Sequence, residues 1–88
     1  MHFVWDERKR KSNMLKHGYD FRDAWVVFEG EFFFTEDNRS DYGETRFLGL
    51  GELQDEVVMI AFSSPDEDTI RIISMRKATP DERRAYHA

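Results

Sequence analysis

Val57-Val58-Met59-Ile60-Ala61-Phe62, then Ser64-Pro65-Asp66-Glu67-Asp68, then Thr69-Ile70-Arg71-Ile72-Ile73-Ser74-Met75 is the stretch on which the fold turns. The first six residues are apolar whichever way they point, as in a strand buried on both sides. The five polar residues after Ser63 predict a loop. Thr69 to Met75 then alternates, with Ile70, Ile72 and Ser74 on one face and Arg71, Ile73 and Met75 on the other. So short a link permits an antiparallel hairpin and leaves no room for a helical crossover.

Upstream, Tyr42 to Leu50 alternates well enough for a strand, with Gly43, Gly49 and Gly51 suggesting bulges or bends, and Leu53-Gln54-Asp55 is turn-like. Phe32-Phe33-Phe34 predicts another strand, and the polar segment 35–41 a loop. Further back, Asp20 is placed to cap a helix whose Phe21, Ala24, Trp25 and Phe28, at i, i+3, i+4 and i+7, predict a core stripe. His2 to Trp5 reads as a short strand, ended by Asp6 as the cap of a basic helix over 7–17 that Gly18 closes. Downstream, Thr79-Pro80-Asp81-Glu82 has an N-cap threonine, proline at the first helical position and an acid at the third, so a short terminal helix starts there. The order is β-α-α-β-β-β-β-α. We read an α+β domain over residues 1–88, with two N-terminal helices packed on a mainly antiparallel sheet and a short C-terminal helix.

A chain of 88 residues has room for one thin core, because a domain this small buries only ~60–65 % of its unfolded surface. Eight Phe, three Tyr and two Trp partly offset that with large apolar area per residue. With no cysteine and three scattered histidines, neither a disulfide framework nor a zinc-ligand spacing is present, and no metal or other cofactor is expected. No apolar run reaches the ~20 residues a bilayer span needs, and the N-terminus lacks a signal-peptide layout, so a cytoplasmic protein is expected. The net charge of −5 by itself argues against phosphate binding. Its distribution says otherwise: residues 1–28 hold six Lys/Arg against four Asp/Glu and 69–88 five against two, while 29–68 hold two against twelve. If folding brings the ends together, one basic face results.

The candidates for chemistry follow from placement. His17, at a helix C-terminus beside Lys16, is open to acid–base work or phosphate contact, or to simple packing against the helix end. Arg46, Arg71 and Arg76 lie in or at the end of predicted strands, where a sheet would fix the guanidinium for a phosphate gaining charge; Arg46 and Arg71 are equally open to pairing with Glu44 or the acidic loops. Arg76-Lys77 sits between a buried strand and a capped helix. Arg8-Lys9-Arg10-Lys11 and Arg83-Arg84 read as solvated helix faces or as a partner surface. No Ser-His-Asp arrangement, phosphate-binding glycine loop or dinucleotide fingerprint occurs. Metal-free RNA cleavage stays open, since RNA brings its own 2′-hydroxyl nucleophile.

Taken in order, several segments resemble the BrnT toxins: Val4-Trp5-Asp6 with Lys9 or Lys11; Asn13 and Lys16-His17-Gly18; Phe21, Ala24 and Phe28; Asp37-x-Arg39; Tyr42-Gly43-Glu44 and Arg46; and Arg71-Ile72-Ile73-Ser74-Met75-Arg76-Lys77-Ala78 with Glu82 and Tyr86. The resemblance spans nearly the whole chain. It implies a RelE-like fold and a metal-independent endoribonuclease that stops growth by inhibiting translation. It also implies a BrnA-type antitoxin, in a larger complex built on an antitoxin dimer, through which alone DNA is contacted. Carried over residue by residue, it assigns catalysis to His17, Arg46 and Arg76, and substrate binding to Arg71, Lys77 and Tyr86. Lys9, Lys11, Arg83 and Arg84 are the expected antitoxin contacts. Ser63-Ser64 stands at a strand end where similar sequences often carry an arginine, so Ser64→Arg is expected to raise cleavage. The alternative is a non-catalytic interaction module bound to a DNA-binding partner. A direct DNA-binding regulator fits least, because core aromatics occupy the helix after Gly18.

Overall fold

The computed structural model describes residues 1–88 and shows three helices and a five-stranded mixed sheet. In chain order these are β1 (His2–Trp5), α1 (Glu7–His17), a 3₁₀ turn (Phe21–Asp23) running into α2 (Ala24–Glu29), β2 (Phe33–Asp37), β3 (Arg46–Leu53), β4 (Glu56–Asp66), β5 (Thr69–Lys77) and α3 (Pro80–His87). The sheet order is β1-β5-β4-β3-β2. Three neighbouring pairs are antiparallel, and β1 joins the far edge parallel to β5.

Local chemistry sets the element ends. The Asp6 carboxylate accepts from the backbone N–H of Arg8 and Lys9, and Gly18, at φ +77°, ends α1 in the left-handed conformation. Thr79 and Glu82 form a reciprocal capping box with Pro80 in the first turn of α3. α1 is tied to the sheet through Asn13, whose amide donates to the Met75 carbonyl at 2.9 Å while its oxygen accepts from the Met75 N–H at 3.1 Å. Where β1 stops, one buried asparagine thus takes over the hydrogen bonds of the β5 edge.

Several expectations change. The helix stripe gains Val27 and loses Trp25: Phe21, Ala24 and Val27 are buried, Phe28 is partly buried and packs against the core, and Trp25 is 50 % exposed. The opening 3₁₀ turn explains this, because its three-residue period aims every third side chain at the sheet. The expected loop at 35–41 begins later, since β2 continues through Asp37, and β3 starts at Arg46 rather than Tyr42. Gly49 and Gly51 make no bulge; β3 pairs without interruption from Arg46 to Leu53. They are bare because a Cβ would lie 2.0 Å from the Phe32 ring at Gly49 and 2.6 Å from Val27 at Gly51, so the aromatic and α2 rest directly on the strand. The 64–68 loop shrinks to a turn at Glu67-Asp68, with Pro65 inside β4 where the pairing to β5 is irregular and no ladder donor is needed.

The alternation of β5 also breaks. Phe62 pairs with Ile72 and Ala61 with Ser74, leaving Ile73 as an extra residue. A bulge of this kind shifts the parity of everything beyond it. Met75 therefore joins Ile70 and Ile72 in the core instead of lying opposite them. That core, with Phe21, Ala24, Val27, Leu53, Val58, Ile60 and Phe62, fills the face under α2. A smaller cluster of Val57, Ala78 and Tyr86 secures α3 on the opposite face.

Candidate functional site

The face turned away from α2 carries three cross-strand rows. They read Phe33–Leu50–Met59–Arg76, Thr35–Leu48–Ala61–Ser74 and Asp37–Arg46–Ser63–Arg71 across β2, β3, β4 and β5. Paired residues of neighbouring strands point to the same side, so each row is a line of neighbours on one surface. Phe33, Phe34, Thr35, Leu48, Leu50, Met59, Ala85 and Tyr86 line an apolar groove of about 300 Å³ over the first two rows. The third row is polar. Arg71 and Arg76, five residues apart, would fall on opposite faces of a regular strand; the extra residue at Ile73 brings them to one.

Every arginine on this face meets a carboxylate. Glu44 bridges two strands, accepting from Arg46 Nε at 3.4 Å through Oε2 and from Arg71 through Oε1. The Arg46 guanidinium also lies over the Tyr42 ring, 4.2 Å from its centroid. Tyr42 donates its hydroxyl to Asp37 at 3.0 Å, and Arg39 donates to both oxygens of Asp37 at 2.8 and 2.9 Å. The Arg39 guanidinium, with the Arg39 N–H and the Tyr42 hydroxyl, holds the Asp37 carboxyl well below the usual carboxylate range although the side chain is buried. Arg76 forms a two-pronged pair with Glu82 at 2.8 and 3.0 Å, and Glu82 also accepts from the Thr79 N–H. That pairing lowers Glu82 to about 2. Between Arg46 and Arg71 stands Ser63, 2 % exposed, whose hydroxyl is the one buried side-chain polar atom without a hydrogen-bond partner.

The other sequence candidates are distributed as follows. His17 lines a shallow groove of about 200 Å³ with Lys9, Ser12, Asn13, Lys16, Ile73 and Ser74. Since Ser74 belongs to the arginine face as well, this groove opens beside it. Lys11 is exposed elsewhere on α1. Lys77 is exposed, 3.7 Å from Glu56, and with Arg83 and His87 borders a separate depression. Arg84 pairs with Asp81 within α3. Tyr86 is buried, its hydroxyl donating to the Glu31 carbonyl at 2.7 Å and its ring edge-on to Phe33; burial raises its pKa. Its polar group is thus engaged in holding α3. Ser64 faces away from the arginines and donates to the carbonyls of Asp66 and Thr69, so Ser63, not Ser64, is the serine on the site's side of the strand. The pairing of Arg46 and Arg71 with Glu44 that the sequence leaves open is what the structure shows; Arg39, Asp37 and Tyr42 have no site role in the sequence reading, though the spacing Asp37-x-Arg39 is that of side chains that meet on one face of an extended chain. No group of three or more His, Asp or Glu side chains converges to hold a metal ion, and no helix is long and apolar enough to cross a membrane.

Residues 5–82 match the family model described as the ribonuclease toxin BrnT of type II toxin–antitoxin systems. The 1.1 Å crystal structure of the Brucella abortus ribonuclease toxin BrnT is similar, with a TM-score of 0.68 and 29 % identity over 90 % of this chain and 97 % of that one. A comparison with curated proteins gives no match.

Proposed function

The chain belongs to the BrnT family of ribonuclease toxins of type II toxin–antitoxin systems, and from that membership we propose that its open sheet face is a metal-independent, RelE-like endoribonuclease site. The observation that carries this is the row Arg46–Ser63–Arg71, with Arg76 on the same face: guanidinium groups fixed by a sheet rather than swinging from a loop. In metal-free cleavage the 2′-oxygen of RNA attacks the adjacent phosphorus and the P–O5′ bond breaks. The products are a 2′,3′-cyclic phosphate and a 5′-hydroxyl. Arg46 and Arg71 would stabilise the charge that builds on the non-bridging oxygens, each fixed donor accounting for roughly a hundredfold to a thousandfold in rate. His17, in the groove bordering Ser74, is the imidazole assigned to proton transfer in this reading. The apolar groove beside the arginines offers bases a floor while the phosphates lie on the guanidinium row. Arg76 would contribute charge while its pair with Glu82 keeps α3 in place, whereas Lys77, at a separate depression beside Glu56, would reach only RNA that extends beyond this face.

In this reading residues 1–88 act as one toxin domain in the cytoplasm that inhibits translation. A BrnA-type antitoxin, assembled as a dimer that alone contacts DNA, neutralises it through Lys9 and Lys11 of α1 and Arg83 and Arg84 of α3. α1 lies along β5 and α3 on β3, so the two pairs would meet separate parts of that partner. Incubating antitoxin-free protein with single-stranded RNA in the presence of a chelator tests the proposal. Cleavage leaving cyclic phosphate ends, abolished in the Arg46→Ala, Arg71→Ala double variant, is expected; intact RNA would overturn it. A second reading, a non-catalytic interaction module, is favoured by the carboxylate already beside each of the face's arginines.

A further inference from the structure

The three carboxylates on the arginine face are not held alike. Glu82 is locked twice, by Arg76 and by the capping box of α3. Asp37 sits within a strand, buried, and accepts from both Arg39 and Tyr42. Glu44 lies outside any strand, directly after Gly43 at φ +73°, and has no hydrogen-bond partner except Arg46 and Arg71. It bridges them with one oxygen each, as an anion with several acceptor oxygens, a phosphate included, can bridge two guanidinium groups. Beneath the same pair, in register with both, is the Ser63 hydroxyl with no partner. A buried hydroxyl without a partner is costly to keep unless something bonds to it in another state.

We propose that Arg46, Arg71 and the Ser63 hydroxyl form a phosphodiester subsite and that Glu44 occupies it in the free protein as an internal anion that the ligand displaces. The proposal rests on the reading of this face as the RNA site and adds to it a competitor carried by the chain. Displacement breaks no strand pairing, because β3 begins pairing at Arg46 and the Glu44 backbone lies outside the ladder. A ligand competing with an occupied internal state binds more weakly by the fraction of time the site is free. Removing the competitor's charge therefore tightens binding.

The test is equilibrium binding of a fully 2′-O-methylated RNA oligonucleotide, which cannot be cleaved, to the whole chain and its variants, with thermal melting to verify folding. Glu44→Gln is expected to bind roughly fivefold or more tightly. Asp41→Asn, an equal change of charge in the same loop, is expected to shift affinity less than about twofold, since an exposed charge outside direct contact is screened. Ser63→Ala is expected to melt no lower than the parent, because it removes an unpartnered hydroxyl, and to bind roughly threefold or more weakly. Glu44→Gln binding no better than Asp41→Asn would overturn the proposal, and so would unchanged binding by Ser63→Ala. Unmodified RNA left intact while Glu44→Gln still binds more tightly would count against the ribonuclease reading alone. Normal cleavage with Glu44→Gln affinity unchanged would count against this one alone.

Discussion

On the face under α2, alternate residues of β4 are Val58, Ile60 and Phe62, all buried and covered by Phe21, Ala24 and Val27; on the reverse of the same strand they are Val57, Met59, Ala61 and Ser63, flanked by arginines. The first face is closed by packing, down to glycines that make room for the Phe32 ring and Val27. The second is covered only at one end, by α3, and its charges are balanced by ion pairs. Packing is insensitive to salt and intolerant of volume change, whereas partly exposed ion pairs contribute little to stability and exchange readily for a ligand's charges. Stability is thus concentrated on one side of the sheet, and the chemistry is free to sit on the other.

Truncating the closed face is the severest way to break that contrast. Phe21→Ala, at a fully buried ring, is expected to cost ~3–5 kcal/mol in denaturant unfolding. Arg71→Ala should do the reverse: a stability change below ~1 kcal/mol, because the side chain is 42 % exposed, with RNA cleavage lowered roughly a hundredfold to a thousandfold. A large unfolding cost for Arg71→Ala would collapse the distinction between the faces. Gly49→Ala forces a methyl group against Phe32 and is expected to cost ~1–3 kcal/mol, read from the midpoint of thermal melting.

Acid should loosen the open face through Glu82. Its folded pKa of about 2 lies below the ordinary 4.5, chiefly through Arg76. A depressed carboxylate contributes stability that is complete above its unfolded pKa and lost as pH falls through the folded one. Protection of the α3 amides, measured against the intrinsic exchange rate at each pH, should therefore fall between pH 4.5 and about 2, and Glu82→Gln should remove that dependence. Unaltered pH dependence in Glu82→Gln would show that α3 is held by Tyr86 and Ala78 alone. Smallest of all, Trp25→Ala should shift stability by less than about 1 kcal/mol, because half of the ring is in water. A core-sized loss would restore Trp25 to the stripe from which the structure removes it.

Much of the architecture is legible in the chain. The Asp6 and Thr79 caps, the Gly18 terminator and the apolar run of β4 were all readable, and so was the α+β order. The errors cluster where a distant element decides. Trp25 looked like core under ideal helical periodicity, but a 3₁₀ start re-phases the helix. Gly49 and Gly51 looked like breaks because the Phe32 ring and the helix that need their space are remote in sequence. The arginines are candidates from their place near strands and Glu44 is legible as one candidate partner for them, but that a single carboxylate joins both needs the register of β3, β4 and β5, since its contact with Arg71 spans 27 residues.

The sequence by itself determined the bounds of α1, the start of α3, which strand is central and that one family pattern runs through the chain, because these depend on residues a few positions apart. Only the tertiary structure decided which side chains share a face. One extra residue at Ile73 reverses the parity of β5, placing Met75 in the core and Arg76 on the same face as Arg71. The strand register then sets Ser63 between Arg46 and Arg71. Side-chain direction in a strand has a period of two, so a single unpaired residue, invisible in composition, decides whether those charges are neighbours or lie on opposite sides of the protein.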